Sequence, residues 1–282
     1  MSKAKGEGLT RWWVIAPPTL FLLLFFALPS LIMVLASFQY PGEYGGLAPL
    51  FKDPARPDAL AGLTLETYRF FFSDIIYVEI FVRSFGVALV TTLVCLVTAY
   101  PLALLIARSP KKHRDLMVLL VVLPFASNFL IRVYSWMIIL GPLDLLFSSF
   151  AVVVGMVYVH LPFMVLPLYT NLEKHDPVLL DAAQDLGANA WQRFWRVTFP
   201  LSLPGIFSGA ALVFIPVLGM FAIPELLGGT RDILIGNLIK EQFLGSRDWP
   251  FGGTLSIMLT VTVLAFAALA AWLARGGAAR SG

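Results

Sequence analysis

The residues that could do chemistry in this chain are few and poorly arranged for catalysis. Its 282 residues include 17 carboxylates, three histidines and one cysteine. His113, His160 and His175 have no partners at metal-ligand spacing, so no metal site is expected. Cys95 is alone in an apolar run; it cannot form an intrachain disulfide and is expected to pack. No lysine is followed by Ser or Thr, so the GxxxxGK[ST] phosphate loop is missing and the chain should not hydrolyse ATP itself. No catalytic residues are expected. What remains are charges in apolar surroundings, chiefly Arg132 and Glu225, with His160 a candidate for a substrate contact or a helix–helix hydrogen bond. A charge at mid-bilayer costs about 2.5–3.5 kcal/mol, so such groups face a cavity or a partner. For Arg132, snorkelling or a structural ion pair competes with a pathway role.

The elements that position these groups are membrane spans. Hydrophobic residues make up 59% of the chain and charged residues 13%, about half the charged share of a soluble domain, and the mean hydropathy is +0.83. A span needs about 20 mostly apolar residues. Six runs qualify, at 13–37, 80–107, 116–140, 150–172, 205–227 and 252–274. The apolar core of the first is too long for a signal peptide, so it is expected to be an uncleaved helix. Prolines at 101, 124, 162, 167, 216 and 224 imply kinks in or near these spans.

With the N-terminus inside, 12 of the 20 Lys and Arg residues lie in cytoplasmic segments, six outside and two within spans. The cluster RSPKKHR at 108–114 is the clearest inside marker. Both termini are therefore expected to be cytoplasmic, as 1–12 and 275–282, flanking a transmembrane domain over 13–274 that includes a cytoplasmic loop at 173–204. The net charge of +3 reflects this bias, and no basic domain invites nucleic acid.

That loop contains LLDAAQDLGANAWQRFWRVTFPLSLPGI at 179–206, a half-polar interruption in a greasy chain. Asp176 before Pro177 predicts a helix N-cap with proline at the first position, and Gly187 predicts its terminator. Leu179, Ala182, Ala183 and Leu186 then share an apolar face, with two alanines that would let a partner approach the backbone closely. Asn189 predicts the cap of a second helix carrying Trp191, Phe194 and Trp195, which Pro200 and Pro204 are expected to end before the fifth span. On physics alone the segment also reads as an interfacial amphipathic helix.

The segment resembles the cytoplasmic "EAA" loop of ABC importer permeases: Glu-Ala-Ala, a glycine four residues after the second alanine, then Ile/Leu-x-Leu-Pro. Here these are Asp181-Ala182-Ala183, Gly187 and Leu201-Ser202-Leu203-Pro204, with aspartate keeping the charge of glutamate at shorter reach. The stretches at 122–136, 157–177 and 235–253 resemble the B-type permeases of bacterial spermidine/putrescine importers, a likeness that covers nearly the whole chain after residue 65. One departure is the short connection GPLDLLFSS between the third and fourth spans. The segment from Tyr40 to Leu63 lies outside this likeness and is expected to be a surface loop. Arg247 and Asp248, in SRDWPFGG, are expected to form a structured external turn before the last span.

The resemblance implies an all-α polytopic fold of the type I (MetI-like) importer permeases, with six transmembrane helices. It also implies alternating access through half of a pathway shared with a second, similar permease. Further partners would be two copies of a cytoplasmic ATPase that binds ATP and Mg, an extracytoplasmic solute-binding protein and the bilayer; this chain would hold no cofactor. Asp181, Ala182, Ala183, Gly187, Leu203 and Pro204 would couple it to the ATPase. The implied substrate is a short cation with two or more amines. Its path should replace water with carboxylates and aromatic faces, which points to Glu225 at the outer end of the fifth span, with Tyr134, Trp136 and Tyr158. Against that, Glu225 could pair with Arg132 or cap a helix, and the aromatics could simply pack. An opine, amino-acid derivative or metal chelate remains open as substrate. A gradient-driven transporter or channel would need no ATPase-docking loop, and a membrane enzyme finds no nucleophile, base or metal set here.

Overall fold

The computed structural model describes residues 4–51 and 61–278; Lys3, Lys52, Arg56 and Arg280, counted for orientation, lie outside them. Helices dominate, and β pairing among the described residues is limited to three isolated bridges in the Gln39–Leu63 region. In chain order the helices are α1 (Ala4–Leu22), α2 (Leu28–Ser37), α3 (Glu66–Ser73), α4 (Ile75–Arg108), α5 (Lys111–Val122), α6 (Phe129–Leu140) and α7 (Ser149–Leu172). There follow α8 (Pro177–Asp185), α9 (Ala190–Arg193), α10 (Phe199–Gly219), α11 (Ala222–Leu227), α12 (Ile235–Lys240) and α13 (Trp249–Ala278). The chain divides into two compact units: residues up to Tyr77 with those from Leu238 onward, and Val78–Asn237.

In the first unit, α1 and α2 join through a π turn at Leu23–Ala27 into one candidate span, Trp13–Ser37. Its apolar side chains are almost all exposed, as suits a surface facing lipid rather than water. Among the described residues its C-terminal end is held: Gly253 of α13 lies so close that a Cβ there would come within 3.3 Å of the Met33 carbonyl oxygen and 3.4 Å of Ser37. Ser37 Oγ and the Tyr68 hydroxyl are 2.8 Å apart, and Thr67 Oγ1 donates to the Ser37 carbonyl at 3.0 Å. The expected turn before α13 is present. Asp248 Oδ1 accepts from Phe251 N at 3.1 Å, and the Arg247 carbonyl accepts from Gly46 N at 2.7 Å. Gly45, at φ +90°, leaves the space that Arg247 fills; a Cβ would sit 2.7 Å from that of Arg247.

The second unit is built on α7 against α10. Gly205 and Gly209, one turn apart on α10, bring the helices to backbone distance: added Cβ atoms would lie 2.8 Å from Asn171 Cβ and 2.7 Å from Met164 Sδ. Small residues at this spacing are how helices pack tightly where no hydrophobic force separates protein from lipid. Cys95 is buried, as expected. His160 Nδ1 is 2.8 Å from the Met156 carbonyl of its own helix, so its partner is not a neighbouring helix.

Five helices among the described residues are long and apolar enough to span a membrane, and a sixth span exists if one bent pair is counted as one. Three expectations need correction. The third run, 116–140, is not one helix: α5 runs through a 3-10 turn at Leu123–Ala126 and α6 leaves at 92°. Ser127 is extended and Asn128 caps α6 by accepting from Leu130 N at 2.8 Å. Next, Pro200 and Pro204 do not end the helix after Asn189. A π turn at Phe194–Thr198, in which Phe199 N donates five residues back to Phe194 O, widens the helix just before Pro200. That relieves the clash between a proline ring and the preceding turn. Finally, the resulting helix is continuous over Ala190–Gly219 and stops there; α11 is separate, so Glu225 does not lie at the outer end of the fifth span.

Candidate functional site

The 176–199 segment folds as its punctuation predicts. Asp176 Oδ1 accepts from Val178 N at 3.0 Å with Pro177 at the first position. Gly187 ends α8 at φ +81°, with Gly187 N donating to Gln184 O at 2.8 Å and Ala188 N to Ala183 O at 3.0 Å. These two bonds make a Schellman motif, which needs a left-handed residue at this place. Asn189 and Gln192 exchange bonds of 2.8 and 2.9 Å as a capping box, worth about 1 kcal/mol at its N-cap. A tie that sequence reading missed joins the two helices: Arg193 Nη1 donates to Gln184 Oε1 at 2.6 Å.

Leu179, Ala182 and Leu186 of the expected face are exposed, as are Asp181 and Gly187, whereas Ala183 is half-buried. The exposed apolar strip is therefore Val178, Leu179, Ala182 and Leu186, with Leu186 at 89% exposure. Ala182, not Ala183, is the alanine a partner would meet first. Leu203 and Pro204 sit inside α10, remote in sequence from this strip.

Behind α8 is a groove of about 450 Å3 whose lining includes Leu104, Arg114, Leu180 and Thr198. At its edge Arg114 donates to the carboxylate of Glu173, just after α7. The Tyr169 hydroxyl first, and then Arg114, holds the Glu173 carboxyl below its ordinary range. A depressed carboxyl pKa means the tie contributes above the ordinary value of about 4.3 and is lost only as pH falls through the lower, folded one.

The expected pathway residues come together in part. Trp136 of α6 and Tyr158 of α7 meet edge to face, their rings 5.6 Å apart. Tyr158 also lines an apolar groove of about 310 Å3 with Pro124 at the helix break. Tyr134, two residues from Trp136, points away, since i and i+2 do not share a helix face; it is 48% exposed. Glu225 is exposed on α11, whose Ile223, Pro224 and Leu227 are buried. That helix packs on α6 and α7, the two that carry Trp136 and Tyr158. Arg132 lies with its guanidinium carbon 5.1 Å from the Phe125 ring centroid, and its Nε and Nη1 are buried without a hydrogen-bond partner.

Comparison with known proteins places this geometry. The family described as "Binding-protein-dependent transport system inner membrane component" matches residues 99–279. The chain is 40% identical over 259 residues to the spermidine/putrescine transport system permease protein PotB of Escherichia coli (strain K12), covering 86% of this chain and 90% of that one. PotB of Haemophilus influenzae is 40% identical over 257 residues, 85% of each chain. Among solved structures, a bacterial ABC transporter involved in the import of the acidic polysaccharide alginate aligns at a TM-score of 0.63 over 97% of this chain and 99% of that chain. The same transporter in complex with an alginate pentasaccharide-bound periplasmic protein aligns at 0.64. Sequence identities of 18% and 17% make these two a likeness of fold.

Proposed function

This chain belongs to the family of binding-protein-dependent transport system inner membrane components, and from that premise we propose that it is the B-type permease subunit of an ATP-driven polyamine importer. The family and its apolar helices make it a multi-pass inner-membrane protein. The observation that carries the substrate reading is the 40% identity to spermidine/putrescine permeases over 86% of the chain. The α8–α9 pair supports ATP-driven coupling: it presents an apolar strip that is exposed among the described residues. In this reading the chain forms half of a pathway with a second homologous permease, while two cytoplasmic ATPase subunits bind ATP and Mg and an extracytoplasmic protein delivers the solute. Asp181, Ala182 and Gly187 belong to the docking element. Leu203 and Pro204 belong to the continuous helix behind it.

Uptake of labelled spermidine and putrescine into proteoliposomes carrying all the subunits is expected for the wild type, and absence of both would refute the substrate. In this reading a carboxylate on the helix that packs against α6 and α7 suits an ammonium group that has left water. Glu225→Gln is therefore expected to lower uptake about tenfold, the loss of one charge-assisted bond, with assembly and basal ATP hydrolysis intact. Unchanged uptake would remove Glu225 from the path.

For orientation, the charge bias puts 108–115 and 173–204 inside and 41–75 and 228–250 outside. Single cysteines at Lys111 and Lys52, in a Cys95→Ala background, should then label from opposite sides of the membrane. Labelling of both from outside would overturn this topology.

A further inference from the structure

We propose that a cavity in the first unit, separate from the helices that carry Glu225, is a binding site for an organic ammonium group on a short alkyl arm. The cavity holds about 200 Å3 and opens between the loop after α2, the first turn of α3 and the start of α13. Two carboxylates line it, Glu66 at the head of α3 and Asp248 just before α13, together with the rings of Tyr40, Phe70 and Phe251. No lysine or arginine is among the described residues that line it. Neither carboxylate is in an ion pair among the described residues. Arg69 lines a different cleft, with Leu65, Tyr68 and Phe72, and Arg247 packs its stem on Gly45.

The walls are firm. Phe251 is buried, and its ring meets those of Phe70 and Tyr77 edge to face at 5.3 and 5.0 Å. Asp248 spends one oxygen on Phe251 N at 3.1 Å, which aims the side chain and leaves its second oxygen available. The threonine hydroxyls are engaged elsewhere: Thr64 Oγ1 accepts from Glu66 N at 3.1 Å and Thr67 Oγ1 bonds the Ser37 carbonyl at 3.0 Å.

This combination selects by charge and by shape. Aromatic faces are negative, as are carboxylates, so anions are repelled from both kinds of wall. A hard metal cation demands six or more oxygens, and most of this lining is carbon. An alkylammonium satisfies everything at once: its N–H groups donate to Glu66 and Asp248, its charge lies over a ring, and its methylenes lie on apolar wall. At about 200 Å3 the cavity has room for a short aminoalkyl arm. It sits on the face carrying the 38–51 loop and the turn at Arg247, the face proposed above to be external. Amine binding there stands on its own geometry; only its contribution to uptake rests on the polyamine reading.

The test is equilibrium binding of labelled spermidine and putrescine to the detergent-purified permease–ATPase complex without its solute-binding protein. The variants are near-isosteric: Asp248→Asn keeps an oxygen for Phe251 N, and Glu66→Gln keeps its place in α3. The double variant is expected to lose one class of amine site, with affinity falling about tenfold for each carboxylate neutralised. Phe70→Leu should weaken the same site about threefold. Glu225→Gln should leave that class intact, which separates it from the pathway. 1,4-Butanediol, of equal length and uncharged, should not compete. Unchanged affinity and stoichiometry in the double variant would overturn the proposal. So would competition by the diol, or the absence of saturable amine binding to the wild type. None of these results would by itself touch the uptake assay, so the two readings fail separately.

Discussion

Gly209→Leu is expected to remove the folded chain from solubilised membranes, whereas Gly86→Ala leaves it intact. A Cβ at Gly209 would lie 2.7 Å from Met164 Sδ and 3.2 Å from the Met164 carbonyl oxygen. The thioether can swing away, but the carbonyl belongs to α7 and moves only if the helix does. Any larger side chain therefore drives α7 and α10 apart along the seam that also includes Gly205, where a Cβ would meet the Pro167 carbonyl at 3.1 Å. Overpacking of this kind costs about 3 kcal/mol at its upper end, a large share of the roughly 5–15 kcal/mol that holds a protein together. A Cβ at Gly86 meets nothing within 4 Å, and Gly→Ala inside a helix gains about 0.5–1 kcal/mol. Thermal unfolding of the detergent-solubilised protein reads both. Equal melting temperatures for wild type and Gly209→Leu would show that the α7–α10 contact does not hold the unit together.

The glycine pair was visible in the sequence as GIFSG at 205–209, a small-xxx-small spacing, yet composition alone did not single it out from the other glycines of the spans. Local punctuation read more clearly. Asp176–Pro177, Gly187 and Asn189 each fix a backbone conformation through bonds to residues two to five positions away, so their effect is written in neighbouring letters. Hydropathy read the spans because lipid exposure is an average over some twenty residues. The same averaging hid the 92° break, since VLPFASNFLI stays apolar on both sides of Ser127. The signal was there in Asn128, an N-cap residue after a proline-initiated turn. The helix through Pro200 misled for the opposite reason: a proline normally stops a helix, but a single π turn made room for it, and nothing in FWRVT announces one. The end of the fifth span at Gly219, which leaves Glu225 on a separate helix, is not legible locally because it depends on a distant part of the chain. Gly236 approaches so closely there that a Cβ would lie 2.7 Å from the Gly219 carbonyl oxygen.

Gly187→Val is expected to uncouple transport from ATP hydrolysis, and Gly187→Asn to restore most of it. The site has room: a Cβ at Gly187 meets nothing within 4 Å. The cost is in the backbone, because φ +81° is a left-handed conformation that costs a non-glycine residue about 1–2 kcal/mol and a β-branched one more. Asparagine tolerates it far better. If residue 187 leaves that conformation, the bonds from Gly187 N and Ala188 N to the end of α8 are lost, and with them the reverse turn that sets α8 against α9. The Arg193–Gln184 bond then has no fixed geometry to span. Beyond it the helix runs without interruption over Ala190–Gly219, 30 residues or about 45 Å at 1.5 Å each. If α8 docks on an ATPase as proposed, a push on its exposed strip is passed into this helix only while the turn holds. In reconstituted importer, the valine variant should assemble and hydrolyse ATP at a basal rate that loaded binding protein no longer stimulates. Ala182→Trp should give the same phenotype by overfilling the exposed face, with the turn itself unaltered. Normal stimulation and uptake in both Gly187→Val and Ala182→Trp would show that α8 does not carry the signal from the ATPase.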